Sequence, residues 1–280
     1  YYYMIIWLAS YPKSGNTWVR SLLSSYLFSS DGNFTFQMLN KISQFPSKLY
    51  LNSFLEQADN PELVHKYWIP SQIKINLNNK KNILKTHSAL CTIDQSPFTN
   101  KQNTLGAIYV VRDPRNVITS LSNHFDLTIN EALNFIKNEK KIIFTPGNQE
   151  RYKGDVQYIG SWANNYNSWS KTKLFPTIIV KYEDLLSNAK ETFIKILNFL
   201  GEKKIDKKID KVVSSCTFDF LKKKEEKEGF IESVNSKKNK KKINFFNLGK
   251  ENKWENLLDK KIEKKIRSLF HKEMQELGYN

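Results

Sequence analysis

The chain has 280 residues, enough for one large α/β domain or two small ones with a substantial core. It shows no apolar run near the ~20 residues that span a bilayer, no basic-then-apolar leader, and only two cysteines, Cys91 and Cys216. No membrane span, secretion signal or disulfide framework is read from it, and a cytoplasmic protein is the expectation. The formal charge of +16 suits an anionic partner, yet Arg, which reads bases bidentately, occurs only five times, so no nucleic-acid partner is expected.

Tyr1-Tyr2-Tyr3 precede Met4, which reads as the natural start. Met4-Ile5-Ile6-Trp7-Leu8 is an apolar run bounded by small residues, the pattern of a buried strand. From Trp18 to Phe28 apolar residues recur at 18, 19, 22, 23, 26 and 27, one face of a helix. Between them lies Tyr11-Pro12-Lys13-Ser14-Gly15-Asn16-Thr17. A strand, a loop and a helix start aim free backbone N–H groups at an anion; Lys13 adds charge, and Ser14, Asn16 and Thr17 add donors. The stretch reads as a phosphate cradle. It is not the nucleoside-triphosphate loop G-x-x-x-x-G-K-[ST], because Lys13 precedes the only Gly of the loop.

Pro-Lys-Ser-Gly-x-Thr-Trp resembles instead the 5′-phosphosulfate loop of sulfotransferases that use 3′-phosphoadenosine 5′-phosphosulfate (PAPS), with Lys13, Ser14, Gly15, Asn16, Thr17 and Trp18 as its residues. The resemblance, to a cytosolic-type, bacterial-like member, implies a three-layer, P-loop-like α/β domain over 1–280. Its central parallel sheet would have about five strands, with helices on both faces.

Residues 34–81 mix short helices and loops broken by Pro46, Pro61 and Pro70, an insertion of the kind that builds an acceptor pocket. His65 falls there and reads as structural. Asn82-Ile83-Leu84-Lys85-Thr86-His87 is a short strand whose alternation puts Lys85 and His87 on one side near its carboxyl end. Lys-Thr-His resembles the segment bearing the general base of the family, which makes His87 the base.

Leu105–Val111 reads as a central parallel strand, followed by Asp113 as helix cap and Pro114 at the first helical position. The family's 3′-phosphate motif has an Arg at the strand end and a Ser eight residues on; Arg112 and Ser120 reproduce it. Arg115 reads as a solvated helix-start residue, with a second phosphate ligand as the alternative. Residues 126–150 suggest a polar helix and a loop around Pro146-Gly147 near the acceptor mouth. Residues 154–173 read as one helix, with Trp162, Tyr166 and Trp169 as a core stripe.

Thr177–Tyr182 is another strand, with Glu183-Asp184 capping a helix that Gly201 stops. Tyr-Glu-Asp resembles the family again, where the Tyr lies against the adenine, which implies Tyr182. In the family's Thr-Ser-Phe stretch the first position is here Cys216, so Phe218 alone carries over as a nucleotide contact. Residues 222–242, mostly Lys, read as a mobile, solvated segment reaching to about 245, or alternatively as a disordered phosphate-reading arm. Residues 244–254 are similar to the family's late loop, Phe-x-Arg-Lys-Gly-x-x-Gly-Asp-Trp, with Phe246, Gly249 and Trp254 in place. The Arg-Lys pair is replaced by Asn247-Leu248, and Lys250 or one of Lys240 to Lys242 would compensate. Leu257–Leu277 reads as a closing amphipathic helix.

The implied reaction moves a sulfuryl group from PAPS to a hydroxyl or amine of a small-molecule, carbohydrate or lipid acceptor, releasing 3′,5′-adenosine diphosphate (PAP) without a metal. The resemblance makes His87, Lys13, Lys85 and Ser120 the catalytic set, and Arg112, Ser120, Tyr182, Phe218, Gly249 and Lys250 nucleotide contacts alongside the loop. Two other readings stay open: a P-loop kinase-like phosphotransferase, and a non-enzymatic nucleic-acid or anion-binding protein.

Overall fold

A computed structural model describes residues 4–55, 61–144, 156–236 and 239–279. Tyr1-Tyr2-Tyr3 and the expected turn at Pro146-Gly147 lie outside them. The chain divides into two compact units. One comprises Tyr1–Tyr11, Ile42–Val110 and Asn138–Val180; the other comprises Pro12–Lys41, Val111–Lys137 and Lys181–Asn280.

The first unit is built on a four-stranded parallel sheet in the order Asn82–Thr86, Ile5–Ser10, Thr104–Val111, Thr177–Lys181. All six residues of Ile5–Ser10 are buried, as befits a strand covered on both faces. Leu8 is in register with Lys85 on one side and Ile108 on the other. The expected fifth strand reduces to a single parallel bridge between Gln44 and Lys85, flanked by Phe45 N–H donating to the Lys85 carbonyl (2.8 Å) and Lys85 N–H donating to the Ser43 carbonyl (2.9 Å).

Trp7 anchors the core of this unit against Phe45, Phe98 and Trp169, with ring centroids 5.6, 5.1 and 6.4 Å away. Its indole N–H donates to Thr104 Oγ1 at 2.9 Å, so a side chain whose burial contributes about 3 kcal/mol leaves no polar atom unpaired. Trp162, Tyr166 and Trp169 are buried, as their helical spacing predicts. The single helix expected over 154–173 is a strand and a shorter helix instead. Val156–Tyr158 pairs antiparallel with Ile142–Phe144, and Ser161 then caps the helix Trp162–Ser170 by accepting from Asn164 N–H at 3.1 Å. The capping hydroxyl fixes where the helix can begin.

The second unit is helical. Asn16–Phe28 follows the Lys13 loop; Pro114–Phe125 starts at Asp113, whose carboxylate accepts from Arg115 N–H at 2.9 Å, with Pro114 in the first turn. Tyr182–Leu200 stops at Gly201, which is left-handed as expected. The closing helix is two, Lys260–Leu269 and His271–Leu277, broken where Phe270 turns inward and leaves helical geometry.

The Lys-rich stretch differs most from expectation. Its first part is the helix Phe218–Glu228, and beyond it Val234–Asn235 pairs antiparallel with Lys242–Ile243. Glu225, 1% exposed, holds this arm: its carboxylate accepts from the N–H groups of Phe245 (2.7 Å) and Phe246 (2.9 Å) and from the Ser233 hydroxyl. Phe230 stacks on Phe36 beside it at 4.7 Å. One satisfied buried carboxylate and a few aromatic rings order a stretch whose composition alone reads as solvated.

Candidate functional site

Lys13 to Thr17 carry the loop between the first strand and its helix. Gly15 sits at φ +101, and a Cβ there would stand 2.6 Å from the Tyr182 ring, so both backbone and space demand glycine. Gly15 is also the helix N-cap, with no side-chain cap and no acidic residue in the first turn, which keeps the helix start open to an anion. Ser14 Oγ is fully buried and finds no hydrogen-bond partner among the described residues. A buried orphan hydroxyl at an uncapped helix start fits a phosphate-like ligand. Gly15→Ala is expected to weaken nucleotide binding about tenfold and to lower stability by about 1–2 kcal/mol, as titration calorimetry and thermal melting would register.

Lys13, at φ +66, lies with its ammonium 3.6 Å from the centre of the Phe245 ring. An anion of the chain itself already touches the loop helix: the Glu232 carboxylate accepts from Thr17 Oγ1 at 3.1 Å and from Arg20 at 2.7 Å.

Arg112 is 7% exposed and stands at the meeting point of the second unit's predicted residues. Its guanidinium donates to Ser120 Oγ at 3.0 Å and to the Lys13 carbonyl at 3.4 Å, and it stacks 4.1 Å over the Tyr182 ring. Its Nε is buried with no partner among the described residues. Tyr182 also meets Trp18 edge-on at 5.6 Å, and burial raises its phenol pKa against the opposing charge of Arg112. The structure therefore brings Lys13, Gly15, Trp18, Arg112, Ser120 and Tyr182 together.

Arg115 is not the solvated residue the sequence suggests. It is 3% exposed, holds both carboxylate oxygens of Asp113 through Nε at 3.0 Å, and stacks 4.0 Å over Trp254. Asp113 is thereby committed to a cap and an ion pair, which removes it as a magnesium ligand of the kinase reading. Phe218 and Gly249 meet each other, since a Cβ on Gly249 would fall 2.4 Å from the Phe218 ring. Lys250 and Leu248 are exposed. Cys216 is buried with its thiol pushed up to about 12, an inert group at the Thr position of the family.

In the first unit, His87 follows the strand Asn82–Thr86 and is held on three sides. Its Nδ1 lies 2.9 Å from the Ser10 carbonyl and 3.1 Å from Ser10 Oγ. A carbonyl only accepts, so the ring hydrogen belongs on Nδ1 and the neutral imidazole keeps its lone pair on Nε2. The His87 N–H donates to Gln157 Oε1 at 2.8 Å, and its carbonyl accepts from Asn165 Nδ2 at 2.9 Å. Asn165 in turn accepts from the Tyr109 hydroxyl at 2.8 Å. Lys85, two residues earlier, is 6% exposed. Sequence reasoning missed Gln157, Asn165, Arg20 and Glu232; each acts across a long stretch of chain, where no local spacing signals it.

The profile of the sulfotransferase domain family matches residues 5–278. Sulfotransferase 1B1 of Mus musculus is 28% identical over 221 residues, covering 77% of this chain and 64% of that protein, so the match spans just under two thirds of that relative's length. Mouse sulfotransferase SULT7A1, solved in complex with PAP, has a TM-score of 0.61 at 20% identity over 97% of this chain and 85% of that one. Retinol dehydratase, solved with androsterone and the inactive cofactor PAP, has a TM-score of 0.58 at 16% identity over 96% of this chain and 80% of that one. At these identities the structural likeness establishes the fold.

Proposed function

The chain belongs to the sulfotransferase domain family, and from that we propose that it transfers a sulfuryl group from PAPS to a hydroxyl or amine of a small-molecule, carbohydrate or lipid acceptor, residues 1–280 acting as one sulfotransferase domain. The observation that supports this most is Arg112: nearly buried, tied to Ser120 and to the Lys13 carbonyl, and carrying an unpartnered Nε. Such a guanidinium suits a phosphate monoester held beside the Lys13 loop. Retinol dehydratase, bound to androsterone in its solved structure, supports an apolar molecule bearing a hydroxyl as one acceptor class.

PAPS supplies an activated sulfuryl group; the chain positions it and manages charge and proton. Lys13, the loop N–H groups and the Ser14 hydroxyl oppose charge on the departing phosphate oxygen. Arg112 and Ser120 hold the 3′-phosphate, with Tyr182 beneath the guanidinium. Lys85 faces charge on the sulfuryl oxygens. His87 takes the acceptor proton on Nε2, its tautomer set by the Ser10 carbonyl. Both cysteines are free, which suits work in a reducing cytoplasm.

The test is titration calorimetry with PAP and, in parallel, ATP with magnesium. Preferential binding of PAP is expected. Preference for ATP would return the Lys13 loop to the kinase reading, and binding of neither would remove the enzymatic one.

A further inference from the structure

Two cations are missing where the family grips the 3′-phosphate, and Leu248, in place of one of them, is 41% exposed. Another residue of the same loop reaches the phosphate motif. Asn252 is buried; its side chain and its carbonyl bond the helix Pro114–Phe125, while its N–H donates to the Gly249 carbonyl at 3.2 Å. Its Nδ2 donates to Ser120 Oγ at 2.9 Å and to the Asn116 carbonyl at 3.2 Å; its Oδ1 accepts from Thr119 Oγ1 at 2.6 Å; its carbonyl accepts from Asn116 Nδ2. The Asn116 carbonyl fixes which side-chain atom is the nitrogen, because an oxygen at that distance would repel it.

Ser120 Oγ thus receives two hydrogen bonds, from Asn252 and from Arg112. A hydroxyl has two acceptor positions and one hydrogen. With both acceptor positions filled, that hydrogen is turned away from Arg112 and Asn252 and can serve only as a donor. Ser120 is half-buried, so the donor remains within reach of a ligand.

We propose that Asn252 is a positioning residue of the 3′-phosphate site, converting Ser120 from an ambivalent hydroxyl into a dedicated anion donor. It also clasps the 244–254 loop to the helix that carries Ser120. This compensates by pre-organisation, not by charge, for the absent Arg-Lys pair. The inference rests on the sulfotransferase reading above and deepens it.

The experiment compares PAP with adenosine 5′-monophosphate, which lacks the 3′-phosphate, by calorimetric titration. Asn252→Ala is expected to weaken PAP binding about tenfold and leave the monophosphate unchanged, collapsing the preference between them. Ser120→Ala should do the same, and the double variant should lose no more than Ser120→Ala alone, because both act through one hydroxyl. If Asn252→Ala weakens both nucleotides equally, or keeps the preference, the proposal is overturned. If Asn252→Ala does not fold, Thr119→Val, which removes the bond to Oδ1, decides the matter: a reduced preference supports the proposal and an unchanged one overturns it. If the unaltered protein shows no preference for PAP, the sulfotransferase reading fails first and takes the proposal with it.

Discussion

Replacing His87 with alanine is expected to lower sulfuryl-transfer turnover by about 10²- to 10⁴-fold while PAP affinity stays unchanged. The expectation follows from how the ring is held. The Ser10 carbonyl fixes the hydrogen on Nδ1, so the imidazole presents a lone pair at the nitrogen required of a base. The backbone of residue 87 is secured independently, through Gln157 and through the Asn165–Tyr109 chain of hydrogen bonds. Alanine therefore removes the ring and leaves the strand end in place. Turnover on a phenolic acceptor, read alongside PAP titration, separates the roles: equal loss of both would sink the base assignment.

Arg112→Ala should weaken PAP binding about a hundredfold, the largest binding effect expected of any single substitution here. The guanidinium gives up at once its bond to Ser120, its bond to the Lys13 carbonyl and its stack on Tyr182. Arg112→Lys should rescue little, because an ammonium cannot reproduce a planar fork that bonds two ways and stacks. The loss should be far smaller for adenosine 5′-monophosphate. An unchanged PAP affinity would remove Arg112 from the phosphate site.

Much of this architecture is legible in the sequence because its signals are local. Ile5–Ser10, the Lys13 loop, the Asp113-Pro114 helix start and the Trp162/Tyr166/Trp169 stripe each declare themselves within a dozen residues. What was misread depends on partners far along the chain. Arg115 looks solvated until Trp254 covers it, and Glu225 looks like one more charge in a Lys-rich run until Phe245 and Phe246 donate to it. Asn252 carries no pattern of its own; its role exists only beside Thr119 and Ser120. The helix expected over 154–173 fails for a different reason, since a short strand before a capped helix leaves almost the same apolar spacing as one longer helix.

The left-handed backbone at Lys13 carries one more consequence. A residue with a Cβ pays about 1–2 kcal/mol to sit at φ +66, a conformation glycine adopts freely, although glycine loses about 0.5–1 kcal/mol more chain entropy on folding. Lys13→Gly should therefore hold or slightly raise the melting temperature, while sulfuryl transfer falls. Durability and turnover part company at this position. A search for sturdier variants by heat resistance alone would tend to accept that substitution and discard the proposed sulfuryl transfer with it.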